Sequence, residues 1–216
     1  MTRAEAQAKP AAMIYLIRHG QTEFNREGRF QGQCDSPLTG LGRDQAARVG
    51  ARLAGLIDDP AGWRLSSSPL GRAADTARIV QAAAGLADLT LEPRLAEISM
   101  GSWDGLTEEE IAMVSPDVRV ATRYDLFFAS PDGEGYDAIA ARLQDWLDEA
   151  LADGRTHVAV SHGVAGRVLR GLYLGLDRAE QARLPVPQDA IFRLAEGAIE
   201  RIDADPAALV TDEPGR

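Results

Sequence analysis

The sequence of 216 residues predicts an α/β fold, a mostly parallel central sheet between helices in a three-layer α/β/α arrangement. Three observations predict it. Residues 13–17 form a continuously apolar run bounded by polar residues, as a strand buried on both faces does. Thr156–Ser161 repeats that pattern, and between the two runs strand-like and helix-like stretches alternate.

The first run stops at Arg18, His19 and Gly20. Ligands of open α/β sheets bind beyond the carboxyl ends of the strands, so the chemistry is expected here, and Gly20 allows a sharp exit and close backbone approach to a ligand. Residues 25–37, rich in Gly, Gln and Asp, read as a loop that walls a pocket. Thr39 is a candidate N-cap for a helix over 41–56, with Leu41, Ala46, Val49, Leu53 and Leu56 on its apolar face and Arg43, Asp44, Arg48 and Arg52 toward water. Residues 58–62 break it, and residues 63–67 form a second strand.

Ser68-Pro69 opens an Ala-rich helix over 70–84, with Leu70, Ala73, Ala77, Val80 and Ala84 on one side. Arg72 falls in its first turn, beside the positive end of the helix dipole. Either water solvates it there or a bound anion offsets the repulsion. A third strand follows at 89–91, and a loop over 93–107 presents an exposed-looking Glu97 among apolar anchors. Glu108, Glu109 and Glu110 after Thr107 are first-turn charges of a helix rather than catalysts. Residues 114–132 are irregular and cover a cleft; their aromatic segment 124–128 is read as core packing in preference to a pocket wall.

Ile139, Leu143, Trp146, Leu147 and Leu151 make the core stripe of a helix over 135–152. The strand at 156–161 ends in His162-Gly163 and leads into a helix over 164–174, repeating the opening device. His157, at the opposite end of that strand, is structural. Residues 190–194 and 198–202 around Glu196-Gly197 form a terminal hairpin. The expected organisation is a leader over 1–12, one domain over 13–203 and a tail over 204–216.

Hydrophobic residues at 45% and charged residues at 26% fit a soluble globular domain. The net charge of −10 argues against nucleic-acid or anionic-membrane partners, so an anionic substrate needs a locally basic pocket. Cys34 is the only cysteine, which excludes an intrachain disulfide and a multi-cysteine metal site and suits a reducing cytoplasm, where the protein is expected. The leader lacks the apolar core of a signal peptide, and no apolar run approaches a membrane span.

Two guanidiniums, Arg18 and Arg72, and the imidazoles that end two strands suit a phosphoryl group, because planar forks match phosphate oxygens. His19 at the centre can attack phosphorus, kept neutral by the cations around it, and Glu97 can exchange a proton with the leaving group and then with water. Residues 16–25 (LIRHGQTEFN), 67–77 (SSPLGRAADTA) and 95–105 (LAEISMGSWDG), with the His162-Gly163 pair, together resemble the histidine phosphatase superfamily, also called phosphoglycerate mutase-like. The resemblance covers residues 13–202.

It implies that His19 carries the phosphoryl group in a covalent intermediate and that Glu97 is the proton donor. It further implies that Arg18, Asn25, Arg72, His162 and the backbone of Gly163 hold phosphate oxygens, with no metal or other cofactor. The activity implied is that of a histidine acid phosphatase-like phosphomonoesterase acting on a small phosphorylated metabolite. The Gly101–Leu106 stretch after Glu97 looks like the phosphatase branch, and between Glu97 and His162 only Arg119, Arg123, Arg142 and Arg155 occur, without the longer basic insertion of the glycolytic mutases. Hydrolysis is therefore preferred to mutase transfer and to a non-catalytic phosphate-binding module. Gly135 stands where relatives often carry Ser, and Val164 where polar or small residues are common.

Overall fold

A computed structural model describes residues 12–205. The expected leader and tail therefore lie outside the described residues, apart from Ala12, Ala204 and Asp205. Six strands form one sheet: β1 (Met13–Arg18), β2 (Trp63–Ser67), β3 (Leu89–Leu91), β4 (Thr156–Ser161), β5 (Ala190–Ala195) and β6 (Ala198–Asp203), in the order β3-β2-β4-β1-β5-β6. The first four in that order run parallel, and the β5-β6 hairpin adds the antiparallel pairings.

Period-two alternation divides each central strand between two cores. Ile14, Leu16, Ala159, Phe192 and Leu194 face one side, packed by α6 (Tyr136–Asp153) and α7 (Gly163–Leu174). Tyr15, Ile17, Val158, Val160 and Ile191 face the other, packed by α2 (Gly40–Ala54) and α3 (Gly71–Ala84). This is the predicted three-layer architecture. A third cluster of Phe30, Met100, Trp103, Ile111 and Leu126 sits under the loops beyond the strand ends. Among the described residues, no helix is long and apolar enough to cross a membrane.

Several local expectations change. Residues 25–37 are not wholly loop: α1 (Glu23–Arg26) is a single turn closed by a Thr22–Asn25 capping box. The irregular stretch after Val114, itself the end of α4 (Glu108–Val114), contains α5 (Arg123–Leu126), again capped by a Thr–Asp box. A further short helix, α8 (Arg178–Ala182), follows α7. Leu41 is exposed, because Gly42, Ala46, Val49, Gly50 and Leu53 make the buried face of α2. Thr39 caps that helix as predicted, accepting from the Gly42 amide.

The exit from β1 depends on backbone packed against backbone. A Cβ on Gly20 would lie 2.2 Å from the Gly42 carbonyl oxygen, and one on Gly42 would lie 2.0 Å from that of Gln21. Neither neighbour can rotate away. Gly42→Ala is expected to destabilise the fold by about 1–3 kcal/mol, read as a lower denaturant midpoint; an unchanged midpoint would show that α2 shifts freely relative to the β1 exit.

Candidate active site

β1 and β4 are adjacent in the sheet, with Arg18 opposite Ser161, so the residues that follow them emerge side by side. The His19 amide donates to the Ser161 carbonyl at 3.0 Å, and the His19 and His162 ring centroids lie 5.2 Å apart. Both rings are buried. His19 Nδ1 contacts the Gly20 carbonyl at 2.8 Å. A carbonyl only accepts, so Nδ1 carries the proton and Nε2 keeps the lone pair a nucleophile needs. Burial, and then the charges of Arg18 and Arg72, hold His19 well below the usual histidine range against the opposing Gly20 contact.

His162 is lowered likewise, first by burial and then by Arg72, His19, Arg18 and Arg142. Its Nε2 lies 2.7 Å from Ser68 Oγ, which also accepts the Leu70 amide. The hydroxyl proton is then free to point at Nε2, and the ring proton falls on Nδ1. That Nδ1 is buried and has no hydrogen-bond partner.

These shifts have a sign. Unfolded histidine titrates near pH 6.5, whereas both folded rings protonate only at lower pH. Their contribution to stability is complete above that value and is lost as pH falls through it toward the folded values. Two of the three histidine ring signals should therefore turn over below the pH of a free imidazole in an NMR titration. Two signals turning over at or above pH 6.5 would overturn the burial argument.

Arg72 reaches the same place from the first turn of α3. It is 1% exposed, donating Nη1 to the Cys34 carbonyl and Nη2 to the Gly32 carbonyl, both at 2.7 Å. Gly32 has φ +50°, a conformation that favours glycine and turns its carbonyl toward the arginine. The anion at this helix N-terminus is Asp35, which accepts the Gly71 amide at 2.8 Å and the Arg72 amide at 3.2 Å and stands 3.8 Å from Nη1. The solvated reading is thus corrected: Arg72 is buried, and a carboxylate of the protein, Asp35, stands at the positive end of the dipole. Its Nε is buried without a partner, as is Arg18 Nε. Arg18 donates Nη1 to the Val186 carbonyl, and burial brings it down to about 10, so it remains a cation at neutral pH.

Glu97 is buried, not exposed, because α7 sets its first turn against the loop that carries it. Its carboxylate accepts the amides of Val164 at 3.1 Å, Ala165 at 2.9 Å and Ile98 at 3.0 Å. The loop itself is clamped from behind. Arg142 donates to the Arg94, Ala96 and Glu97 carbonyls and is gripped by both oxygens of Glu134, from the Gly133-Glu134-Gly135 turn noted in the sequence. Gly135, the N-cap of α6, supplies no side-chain cap there.

A cavity of about 240 Å³ opens between these groups, lined by Arg18, His19, Asn25, Arg72, Glu97 and Gly163. Six of the seven predicted site residues thus share one wall, and His162 is packed beside His19 without lining it. Asn25 spends its Oδ1 on the Thr22 amide and on Gln188, which leaves its NH2 for the cavity. Gly163 lies against Arg18, 3.5 Å from Nε to where a Cβ would stand.

Among the lining residues absent from the predicted set are Gln31, whose Oε1 is buried and unpartnered, Arg123 and Arg167. Arg167 carried a signal, a cation in a helix otherwise apolar at Val164, Ala165, Val168 and Leu169. Residues 124–128 are core packing as read, with Tyr124 and Leu126 buried, and Phe127 packs against the core while also lining the cavity.

The profile of the histidine phosphatase superfamily (branch 1) matches residues 14–198, nearly the whole described chain. The chain belongs to the histidine phosphatase superfamily. Among curated members of that superfamily, "Probable phosphoglycerate mutase GpmB" of Enterobacter sp. (strain 638) is 37% identical over 205 residues, covering 88% of this chain and 84% of the relative. A mycobacterial glucosyl-3-phosphoglycerate phosphatase solved with VO3 superposes with TM-score 0.74 at 32% identity, over 89% of this chain and 97% of that one. Bacillus stearothermophilus YhfR superposes with TM-score 0.74 at 29% identity, over 88% and 95%. The likeness thus takes in one structure named a phosphatase and one relative named a mutase.

Proposed function

We propose that the protein is a metal-independent phosphatase that hydrolyses a small phosphomonoester through a phosphohistidine at His19. One observation carries the reading: Arg18 Nε and Arg72 Nε, on residues that line the cavity with His19, and Nδ1 of the adjacent His162 are buried without protein partners, beside an imidazole whose Nδ1 is occupied and whose Nε2 is a lone pair. Buried polar groups are otherwise almost always satisfied. Three such donors beside one nucleophile suit a phosphoryl group and little else.

In the first step His19 Nε2 bonds to phosphorus as the ester P–O bond breaks, and Glu97 gives its proton to the leaving alkoxide. In the second, Glu97 takes a proton from water, whose oxygen replaces the imidazole on phosphorus. Arg18, Arg72, His162, the Asn25 amide and the Gly163 N–H hold the remaining oxygens in both steps. The substrate is a small soluble metabolite of the cytoplasm rather than nucleic acid or lipid, in keeping with the chain's net charge of −10.

A second reading, phosphoglycerate-type mutase transfer, is favoured by the name of the Enterobacter relative and by Arg123 and Arg167 on the cavity wall. Counting arginines between Glu97 and His162 missed that Arg167 enters from beyond that span. Hydrolysis of p-nitrophenyl phosphate with chelator present, absent in His19→Ala, supports the phosphatase. Isomerisation of 3-phosphoglycerate without release of phosphate supports the mutase. Neither activity across a broad panel would favour a non-catalytic phosphate-binding module.

A further inference from the structure

Residues 184–188 lie between α8 and β5, and Val186 among them lines the cavity that holds His19. Three successive carbonyls of this strap each accept from a different arginine. Leu184 takes Arg167 Nε at 2.8 Å, Pro185 takes Arg170 Nη2 at 2.6 Å, and Val186 takes Arg18 Nη1. Arg167 and Arg170 lie one turn apart on α7, and Arg18 ends β1. Burial, opposed at Arg18 by Glu97, lowers Arg18 and Arg170 below the usual arginine range, and the like charge of Arg167 lowers both further. Charge-assisted bonds to the strap offset that repulsion and fix where each guanidinium points. Pro185 and Pro187 restrict the strap's own backbone.

The strap ends in Gln188. Its Nε2 donates to Asn25 Oδ1 at 2.9 Å, and the same oxygen accepts the Thr22 amide at 3.2 Å. A backbone amide only donates, so the Asn25 atom that meets it is the oxygen, and Gln188 must then present its NH2. With both lone pairs of Oδ1 taken, a flip of the Asn25 amide would set its NH2 against two donors. The NH2 therefore stays toward the cavity, which Asn25 lines and Gln188 does not.

We propose that Gln188 is a positioning residue of the phosphoryl pocket: it acts through Asn25, locking that side-chain amide with its NH2 toward a bound phosphate, while the strap that carries it holds Arg18. The proposal rests on the phosphatase reading for the anion that the NH2 meets.

The test is a double-mutant cycle on the full chain, with inorganic phosphate binding measured by calorimetry for wild type, Gln188→Met, Asn25→Ala and the pair. Methionine keeps the length of glutamine and cannot donate. Asn25→Ala should weaken phosphate by roughly 10–100-fold and Gln188→Met by roughly 3–10-fold. The pair should bind within about twofold of Asn25→Ala alone, because losing the donor costs nothing once its target is gone. Losses that multiply would show that Gln188 acts by some route other than Asn25, and they overturn the proposal, as does unchanged binding in Gln188→Met.

Gln188→Glu adds a readout that a packing role would not move. Its carboxylate accepts, draws the Asn25 NH2 to itself and turns Oδ1 toward phosphate, so it should cost more with Asn25 present than in the Asn25→Ala background. An equal cost in the two backgrounds is the effect of the charge alone and overturns the proposal. If wild type binds no phosphate, the phosphatase reading fails, and side-chain amide NMR still decides the lock. Gln188→Met should then shift the Asn25 NH2 signals, and Asn25→Ala those of Gln188. Signals unmoved by the reciprocal change overturn it.

Discussion

His19→Ala is expected to lower phosphomonoester turnover by at least about 10⁴-fold. The reason is the absence of a substitute at that point of the fold. The nearest imidazole, His162, has its Nε2 lone pair taken by Ser68 and carries its proton on Nδ1, and Cys34 is exposed. The fold should survive, because His19 follows β1 rather than filling its core, and the alanine keeps the backbone bond to Ser161. Orthophosphate or vanadate should still bind, since Arg18, Arg72 and His162 remain. Rapid-quench trapping of an acid-labile phosphoprotein in wild type, absent from the variant, identifies the covalent step. A variant rate within about tenfold of wild type would place the nucleophile elsewhere.

Glu97→Gln is expected to slow alkyl phosphates by roughly 10²–10⁴-fold and activated aryl phosphates far less, because only a poor leaving group must be protonated as it departs. The change has a structural cost as well. The carboxylate meets three N–H donors, so an amide NH2 in place of one oxygen sets donor against donor at Val164 or Ala165. That costs about 1–3 kcal/mol of stability and falls on both substrates alike. The ratio of the two rates therefore isolates proton transfer, and equal losses on alkyl and aryl esters would remove Glu97 from the acid role.

Regular elements were legible wherever periodicity had room to appear. β2, β3 and β4 match their sequence boundaries, and α2, α3, α6 and α7 begin within a residue or two of expectation. The short helices α1, α5 and α8 escaped because four or five residues show no period, although each opens on a capping pair: Thr22 with Asn25, Thr122 with Asp125, Asp177 with Glu180. Leu41 was misassigned for a related reason. The buried face of α2 is built partly on Gly42 and Gly50, which an apolar count overlooks.

By itself the sequence determined the layered fold and the residue types that gather at the ends of β1 and β4. Those follow from short-range physics, namely which side chains leave water and where an apolar run must stop. Only the tertiary structure decided what those residues face. It assigned Asp35 to the N-terminus of α3 and Glu97 to that of α7, left Arg18, Arg72 and His162 each with a buried nitrogen unpaired, and brought Arg123 and Arg167 to one cavity wall from opposite sides of β4 in the chain. Such neighbours are set by chain crossings tens of residues apart, and burial fixes each charge's partner at the cost of its water, which no local pattern records.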